Sequence, residues 1–195
     1  MTSFAITYDY LCPFARIANE SLVESMADGA DYDVSFRPFS LAQNHLDHTD
    51  VPVWDRNVQG EMGRGVLALL WSIVVRDEYP ETFPSFHVAL FTAKHDDLRD
   101  IDDAAVLSDV AASVGLDSAS VSAAVGSGVA AKTLETEHTD LVASHGVFGV
   151  PTFISGGEAV FVRFMERHKH DDLKRVIDML EWTNVNEFKR TSIPR

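Results

Sequence analysis

Hydrophobic positions in the first forty residues of the chain follow two different periods. Residues 3–8 form a short, mostly apolar run that predicts a strand. Over residues 13–27 apolar side chains recur every three or four positions, which predicts a helix. Residues 32–39 alternate between apolar and polar, which predicts a second strand that Pro38 ends or places at a sheet edge. The chain therefore begins with a strand, a helix and a strand.

A block of helices is predicted to follow. Residues 41–63 are polar and irregular and indicate a connecting loop. Apolar positions then recur at helical spacing in five segments, and Asp or Ser residues stand where N-caps are favoured. The predicted helices cover residues 64–77 and 84–94, a segment capped by Asp102 or Asp103, a segment capped by Asp117 or Ser118, and residues 129–145.

The pattern returns to strands after residue 145. Residues 146–154 are β-rich with glycines, residues 155–158 predict a hairpin turn, and residues 159–162 predict a further strand. A last helix starts at His170 or Asp171, and a polar tail follows from residue 184. Each strand-containing part is too small to fold alone, so we expect the two parts to share one sheet that a helical insertion interrupts.

Composition narrows the class of protein. The chain has 195 residues, 46% of them hydrophobic and 24% charged, as expected for one soluble globular domain. A net charge of −14 argues against nucleic acid or an anionic membrane surface as a partner, because both require a basic face. We expect no transmembrane helix and no secretory signal, and a single cysteine allows no internal disulfide. These features predict a cytoplasmic protein.

The single cysteine, Cys12, lies where the first strand meets the first helix. Pro13 suits the first helical position, because its missing N–H would be unpaired there. Free N–H groups at a helix N-terminus favour a thiolate, so this position predicts a nucleophilic thiol. The alternative is that Cys12 is a small buried hydrophobic residue.

Two groups of histidines are further candidates for metal binding or catalysis. His45 and His48 flank Asp47, but their spacing matches no defined metal-ligand set, so no metal site is predicted. His138 and His145 lie on an apolar helix face, which is typical of partly buried histidines, although either could approach Cys12 in space. The chain has no glycine-rich phosphate loop and no Gly-x-Ser-x-Gly elbow.

Two motifs in this order resemble the DsbA-like branch of the thioredoxin-fold superfamily. The first is Cys12-Pro13 after the first strand, and the second is Gly149-Val150-Pro151-Thr152-Phe153 before a later strand. The helical block between them matches the family's insertion. The chain is also similar to cytosolic members, namely the FrnE-like proteins and the mycothiol-dependent reductases.

This resemblance implies an α/β thioredoxin fold, β-α-β and then α-β-β-α around one mixed sheet, with an all-helical insertion. We expect residues 1–44 and 129–195 to form the thioredoxin-fold domain and residues 45–128 the insertion. It also implies that Cys12 is catalytic and that the Val150-Pro151 bond is cis and packs near it. The implied substrate-binding residues are Pro13, Phe14, Val150, Pro151 and Thr152.

The chain departs from the family at Ala15, where most members have the second cysteine of Cys-x-x-Cys. With no other cysteine, a mixed disulfide on Cys12 cannot be resolved within one monomer. Three functions remain open at this point. They are a monothiol oxidoreductase, a thiol-dependent transferase or isomerase resembling kappa-class glutathione transferases and hydroxychromene-carboxylate isomerases, and a non-catalytic binding module.

The resemblance also sets expectations about ligands. No tightly bound cofactor is expected, and a low-molecular-weight thiol, mycothiol or glutathione, would act as co-substrate. The expected partner is a small thiol or disulfide substrate, with neither nucleic acid nor a membrane.

Overall fold

A computed structural model describes residues 2–47, 49–56 and 63–184 of the chain. Four strands form one sheet. They are β1 (Thr2–Tyr8), β2 (Tyr32–Pro38), β3 (Thr152–Ser155) and β4 (Glu158–Phe161). The order across the sheet is β2-β1-β3-β4, with β1 and β2 parallel and the other two pairings antiparallel. Strands from both ends of the chain therefore share one mixed sheet, which confirms the predicted fold class.

Eight α-helices are described. They are α1 (Pro13–Ala27), α2 (Leu41–Asn44), α3 (Val66–Glu78), α4 (Phe83–His95), α5 (Ala104–Ser113), α6 (Ser118–Gly126), α7 (Val129–His145) and α8 (His170–Met179). Helices α3–α7 lie between β2 and β3 in the chain, where the sequence predicts a helical block. None of the described helices is both long and apolar enough to cross a bilayer.

Local capping explains several of these boundaries. The side chains of Asp103 and Asp117 accept hydrogen bonds from backbone N–H groups in the first turns of α5 and α6, as expected for N-caps. The neighbouring Asp102, an alternative cap in the sequence, instead accepts from the backbone N–H of Gly65 at the start of α3. One of two adjacent aspartates thus caps its own helix, and the other caps a helix distant in sequence.

The segment between β2 and α3 contains more structure than its polar sequence predicts. Ser40 caps α2 through its side chain, and a 3₁₀ turn covers Val53–Asp55. The side chain of Gln43 accepts a hydrogen bond from the backbone N–H of Val53 and so joins the two. The prediction of an irregular loop here was wrong for these residues, because short capped turns leave little periodic signal.

Helix α1 connects the sheet to the helical block. It packs against β1, α4 and α8. Its N-terminus follows β1 after a short turn in which the backbone N–H of Cys12 donates to the carbonyl of Asp9. One continuous apolar cluster includes residues of the sheet and of the helical block, among them Ile6, Leu22, Trp71 and Phe153. The first turn of α1 is thereby held at one end of the sheet, and the proposed boundaries at residues 44/45 and 128/129 remain a prediction.

Candidate active site around Cys12

Cys12 is the N-cap residue of α1. Its backbone is extended, and the N–H of Ala15 donates to its Sγ atom across 3.4 Å. Pro13 follows at the first helical position and is exposed, as its missing N–H allows. The thiol is half-buried. Cys12 therefore points one lone pair at a helix N-terminus while part of the sulfur remains open to solvent.

The loop before β3 meets the thiol from the other side. The Val150–Pro151 peptide bond is cis. The Sγ–H of Cys12 donates to the carbonyl oxygen of Val150 at 3.4 Å. This contact joins residues that are 138 positions apart in the chain. The structure thus brings together the two motifs that carry the family resemblance.

Thr152 holds this loop in place. Its backbone N–H donates to the Thr7 hydroxyl at 2.8 Å, and its own hydroxyl donates to the Gly149 carbonyl at 2.8 Å. Its side chain is buried. The structure gives Thr152 a supporting position behind the loop, and its predicted contact with a substrate stays a prediction.

A buried carboxylate lies beneath the cysteine turn. Asp9 is fully buried, and its two oxygens accept from the backbone N–H groups of Leu11 and Leu41, each at 2.8 Å. It therefore ties the cysteine turn to the start of α2. Burial raises the pKa of Asp9 to about 6, although these two hydrogen bonds lower it. Asp9 was not predicted as a site residue. The signal available in the sequence was its residue type, because an Asp side chain often accepts a hydrogen bond from the backbone N–H two residues later in a turn.

The structure corrects the expectation that the helix N-terminus makes the Cys12 thiol easy to ionise. Burial raises the pKa of the thiol above its ordinary value, and the charge of Asp9 adds to that shift. The N–H groups of Ala15 and Phe14 and the charge of Arg163 lower the pKa but do not offset burial. The helix N-terminus does favour the thiolate, but desolvation is the larger effect in the free protein.

Aromatic side chains and one arginine pack together beside the first turn of α1, which follows Cys12. The guanidinium of Arg163 lies over the rings of Phe14 and Phe161, 5.5 Å and 5.7 Å from their centroids. The exposed ring of Phe148 packs against Phe161 with centroids 5.0 Å apart. We call these four residues, Phe14, Phe148, Phe161 and Arg163, the aromatic rim. Of them, only Phe14 was predicted as a site residue, because the others lie far from Cys12 in the chain, before β3 or at or just beyond the end of β4, with no local motif.

The candidate histidines of α7, His138 and His145, form no hydrogen bond with Cys12 among the described residues. The ring of His138 stacks on Phe39 and packs near Trp54, and burial lowers its pKa to about 4. His145 ends α7. No hydrogen bond or ring contact joins either histidine to Cys12 in the part of the chain that the structure describes. His48 lies outside the described residues, as does the tail from residue 185, and the described residues contain no cluster of three or more His, Cys, Asp or Glu that could hold a metal ion.

Comparison with known proteins identifies the fold of this site. The family model of the DSBA-like thioredoxin domain matches residues 5–177, which include Cys12 and the loop at Val150. No curated protein matches the chain in sequence.

Several solved structures are similar to this chain. The catalytic domain of ScsC from Proteus mirabilis is 18% identical, with a TM-score of 0.63 over 91% of this chain and 82% of that one. The cytosolic disulfide reductase DsbM from Pseudomonas aeruginosa, solved with GSH, is 12% identical, with a TM-score of 0.64 over 92% and 99%. A 2-hydroxychromene-2-carboxylate isomerase is 15% identical, with a TM-score of 0.65 over 93% and 95%. At these identities the likeness shows a shared fold.

Proposed function

The chain belongs to the DSBA-like thioredoxin domain family, whose members are thiol–disulfide oxidoreductases, and on that premise we propose that it is a cytoplasmic monothiol oxidoreductase. Cys12 is the proposed nucleophile, and an external low-molecular-weight thiol is the co-substrate. The observation that carries the proposal is the single half-buried thiol of the chain, held between a helix N-terminus and the Val150 carbonyl.

The proposed reaction has two exchange steps. The Cys12 thiolate attacks a disulfide RS–SR, which forms a Cys12–S–SR mixed disulfide and releases RS⁻. A second thiolate, R′S⁻, attacks the mixed disulfide at the substrate sulfur, which releases RS–SR′ and restores the Cys12 thiolate. No second protein sulfur is needed, which agrees with Ala15 at the position of the resolving cysteine.

Loss of the thiol proton changes both contacts of the sulfur. The thiolate keeps the N–H of Ala15 as a donor, and this contact stabilises the negative charge. The Val150 carbonyl loses its donor when the proton leaves and can then accept an N–H from an extended substrate. We propose that Val150 and Pro151 bind substrate through this backbone and that Pro13 and Phe14 contact it beside the sulfur.

Glutathione or mycothiol is the proposed co-substrate, and we propose no tightly bound cofactor. The similarity to a cytosolic reductase solved with GSH supports a small thiol partner and a cytoplasmic location. The sulfur is only half-buried, so such a molecule can reach it from solvent.

A second function is favoured by the raised pKa of Cys12. A protonated thiol can donate a hydrogen bond to a bound thiolate rather than exchange with it. This would suit a thiol-dependent transferase or isomerase, and the fold shared with the isomerase described above is compatible with that chemistry. In this case Cys12→Ser would keep activity, because a hydroxyl is also a donor.

Mass spectrometry of the protein after incubation with glutathione disulfide tests the first proposal. We expect one mixed disulfide on Cys12, removed by reduced glutathione, and none on Cys12→Ser. Because the thiol pKa is raised, we also expect the rate of Cys12 alkylation to rise about tenfold per pH unit through neutrality without a plateau.

The variant Ala15→Cys provides the matched comparison. Ala15 is fully buried next to the sulfur, so a cysteine there should form a disulfide with Cys12 and release the bound thiol without a second thiol. A wild-type protein that forms no adduct at any pH would contradict the oxidoreductase proposal. Saturable binding of reduced glutathione that survives Cys12→Ser would favour the transferase or isomerase.

A further inference from the structure

We infer that Arg163 selects the small molecule that reacts with Cys12, by binding a carboxylate group on that molecule. The inference rests on the proposed exchange at Cys12 and adds the chemical class of its substrate. Arg163 follows β4 and lies in the aromatic rim, and its positive charge is the smallest of the effects that act on the pKa of Cys12, which it lowers.

Arg163 has no carboxylate partner among the described residues, a property that it shares with Arg56 and Arg64. Arg16, Arg37, Arg76, Arg99, Arg167 and Arg175 each form an ion pair with an Asp or Glu. Arg163 forms none with any residue in the described ranges, although the chain carries a net charge of −14. Within the part of the chain that the structure describes, the N–H donors of this guanidinium therefore stay free of carboxylates.

The two aromatic rings that contact Arg163 determine which hydrogen bonds its guanidinium can form. Phe14 and Phe161 lie against the guanidinium at distances typical of cation–π contacts. These contacts hold the group in place without using its N–H donors, which lie in the plane of the guanidinium. A planar fork of N–H donors matches the two oxygens of a carboxylate.

The position of Arg163 also determines which part of the substrate it would meet. It packs on Phe14, which is two residues after Cys12 in the first turn of α1. The aromatic rim thus lies next to the turn that carries the sulfur. A carboxylate a few bonds from the reacting sulfur would therefore lie within reach of Arg163, as in glutathione. Mycothiol has no carboxylate, so the inference favours glutathione or a similar acidic thiol as co-substrate.

Three small disulfides of different charge separate recognition from general reactivity. Glutathione disulfide is anionic, 2-hydroxyethyl disulfide is neutral and cystamine is cationic. The measurement is the rate of mixed-disulfide formation on Cys12 by mass spectrometry, for the wild type, Arg163→Ala and Arg163→Lys. Arg175→Ala is the matched control, because it removes the same charge from an exposed arginine on α8.

For Arg163→Ala we expect the rate with glutathione disulfide to fall about tenfold, which is the usual effect of losing a charge-assisted hydrogen bond. The rate with the neutral disulfide should fall less than about threefold, because only the higher pKa of Cys12 affects it. The rate with cystamine should fall by no more than the rate with the neutral disulfide. Arg163→Lys should recover part of the loss, and about 1 M salt should reduce the difference between the disulfides. Arg175→Ala should match the wild type with all three.

The result that overturns the inference is an equal fall, or no fall, with all three disulfides in Arg163→Ala while the wild type remains reactive. Thermal unfolding of each variant shows whether such a fall reflects loss of structure. A wild-type protein that reacts with none of the three would overturn the proposed oxidoreductase and this inference with it, so the two failures are distinguishable.

Discussion

Tyr10 and Cys12 are separated by one residue, yet their side chains lie in opposite surroundings. The Tyr10 hydroxyl is fully buried and forms a 2.7 Å hydrogen bond with Nδ1 of His87, whose Nε2 contacts the Asn19 carboxamide oxygen at 3.1 Å. Cys12 is half-buried and has two 3.4 Å contacts, and the arginine beside it is unpaired in the described structure. We call the first region the closed side and the second the open side.

The closed side uses all of its polar capacity inside the protein. His87 is enclosed by aromatic rings, including stacked Phe83, and burial lowers its pKa to about 3, so the imidazole is neutral. Each of its ring nitrogens has a partner. A satisfied buried network of this kind stabilises one arrangement of the core and leaves no group free for a ligand.

The open side retains hydrogen-bonding capacity that the protein does not use. The contacts of Sγ are long, the N–H groups of Arg163 contact no carboxylate of residues 2–47, 49–56 or 63–184, and Phe148 is 64% exposed. The comparison teaches that His87, although histidine is chemically versatile, serves stability in this chain. The less conspicuous exposed residues around one sulfur serve the proposed reaction.

The largest expected effect of breaking the closed side comes from His87→Ala. It removes the imidazole partner of the Tyr10 hydroxyl and of the Asn19 carboxamide oxygen and opens a cavity among aromatic rings, so we expect a loss of about 4 kcal/mol in unfolding free energy. Denaturant titration measures this loss. Tyr10→Phe is the graded control, and it should cost only about 1 kcal/mol because it removes one hydrogen bond.

Under conditions where His87→Ala remains folded, its rate of Cys12 alkylation should equal that of the wild type. A loss of less than about 1 kcal/mol in unfolding free energy would contradict the structural role of the closed side. Slower alkylation of Cys12 in the folded variant would show that the two sides are not independent.

The next effect concerns Asp9, which precedes Tyr10 and Cys12 in the chain and holds the turn that carries them. Its pKa is about 6 when folded and 3.8 in its ordinary state, so the folded protein binds this proton more tightly than the unfolded chain. Its contribution to stability is therefore greatest below about pH 4 and is lost as the pH rises through 6. Over that range we expect a contribution of about 2–3 kcal/mol.

Asp9→Asn isolates this contribution, because asparagine does not titrate while the buried histidines do so in both proteins. The stability of the wild type relative to Asp9→Asn should be about 2–3 kcal/mol greater near pH 4 than near pH 8, as measured by denaturant titration at each pH. A difference that does not change with pH would show that Asp9 titrates normally.

The smallest expected effect comes from Phe14→Ala on the open side. Phe14 is half-buried and packs on the guanidinium of Arg163, so its removal should cost about 1 kcal/mol in unfolding free energy. It should still slow exchange with glutathione disulfide, since Arg163 loses one of its two supporting rings. If Phe14→Ala destabilises the protein as much as His87→Ala, the distinction between a structural side and a functional side is wrong.

Much of the fold was predictable from hydrophobic periodicity. The predicted bounds of α1 and α7 agree with the structure, and α6 is capped by Asp117, one of the two caps that the sequence predicts. These features depend on residues within one or two turns of each other, which a sequence displays directly. The short α2 was missed because a four-residue helix has no period to detect.

The sequence by itself determined that this protein has one sulfur at the junction of a strand and a helix, and that no internal disulfide can form. Only the tertiary structure decided what surrounds that sulfur. The Val150 carbonyl lies 138 positions away in the chain, and Arg163 reaches Phe14 from beyond β4. The pKa values of Asp9 and Cys12 are raised by burial, which depends on how the whole chain packs and has no local sequence signal.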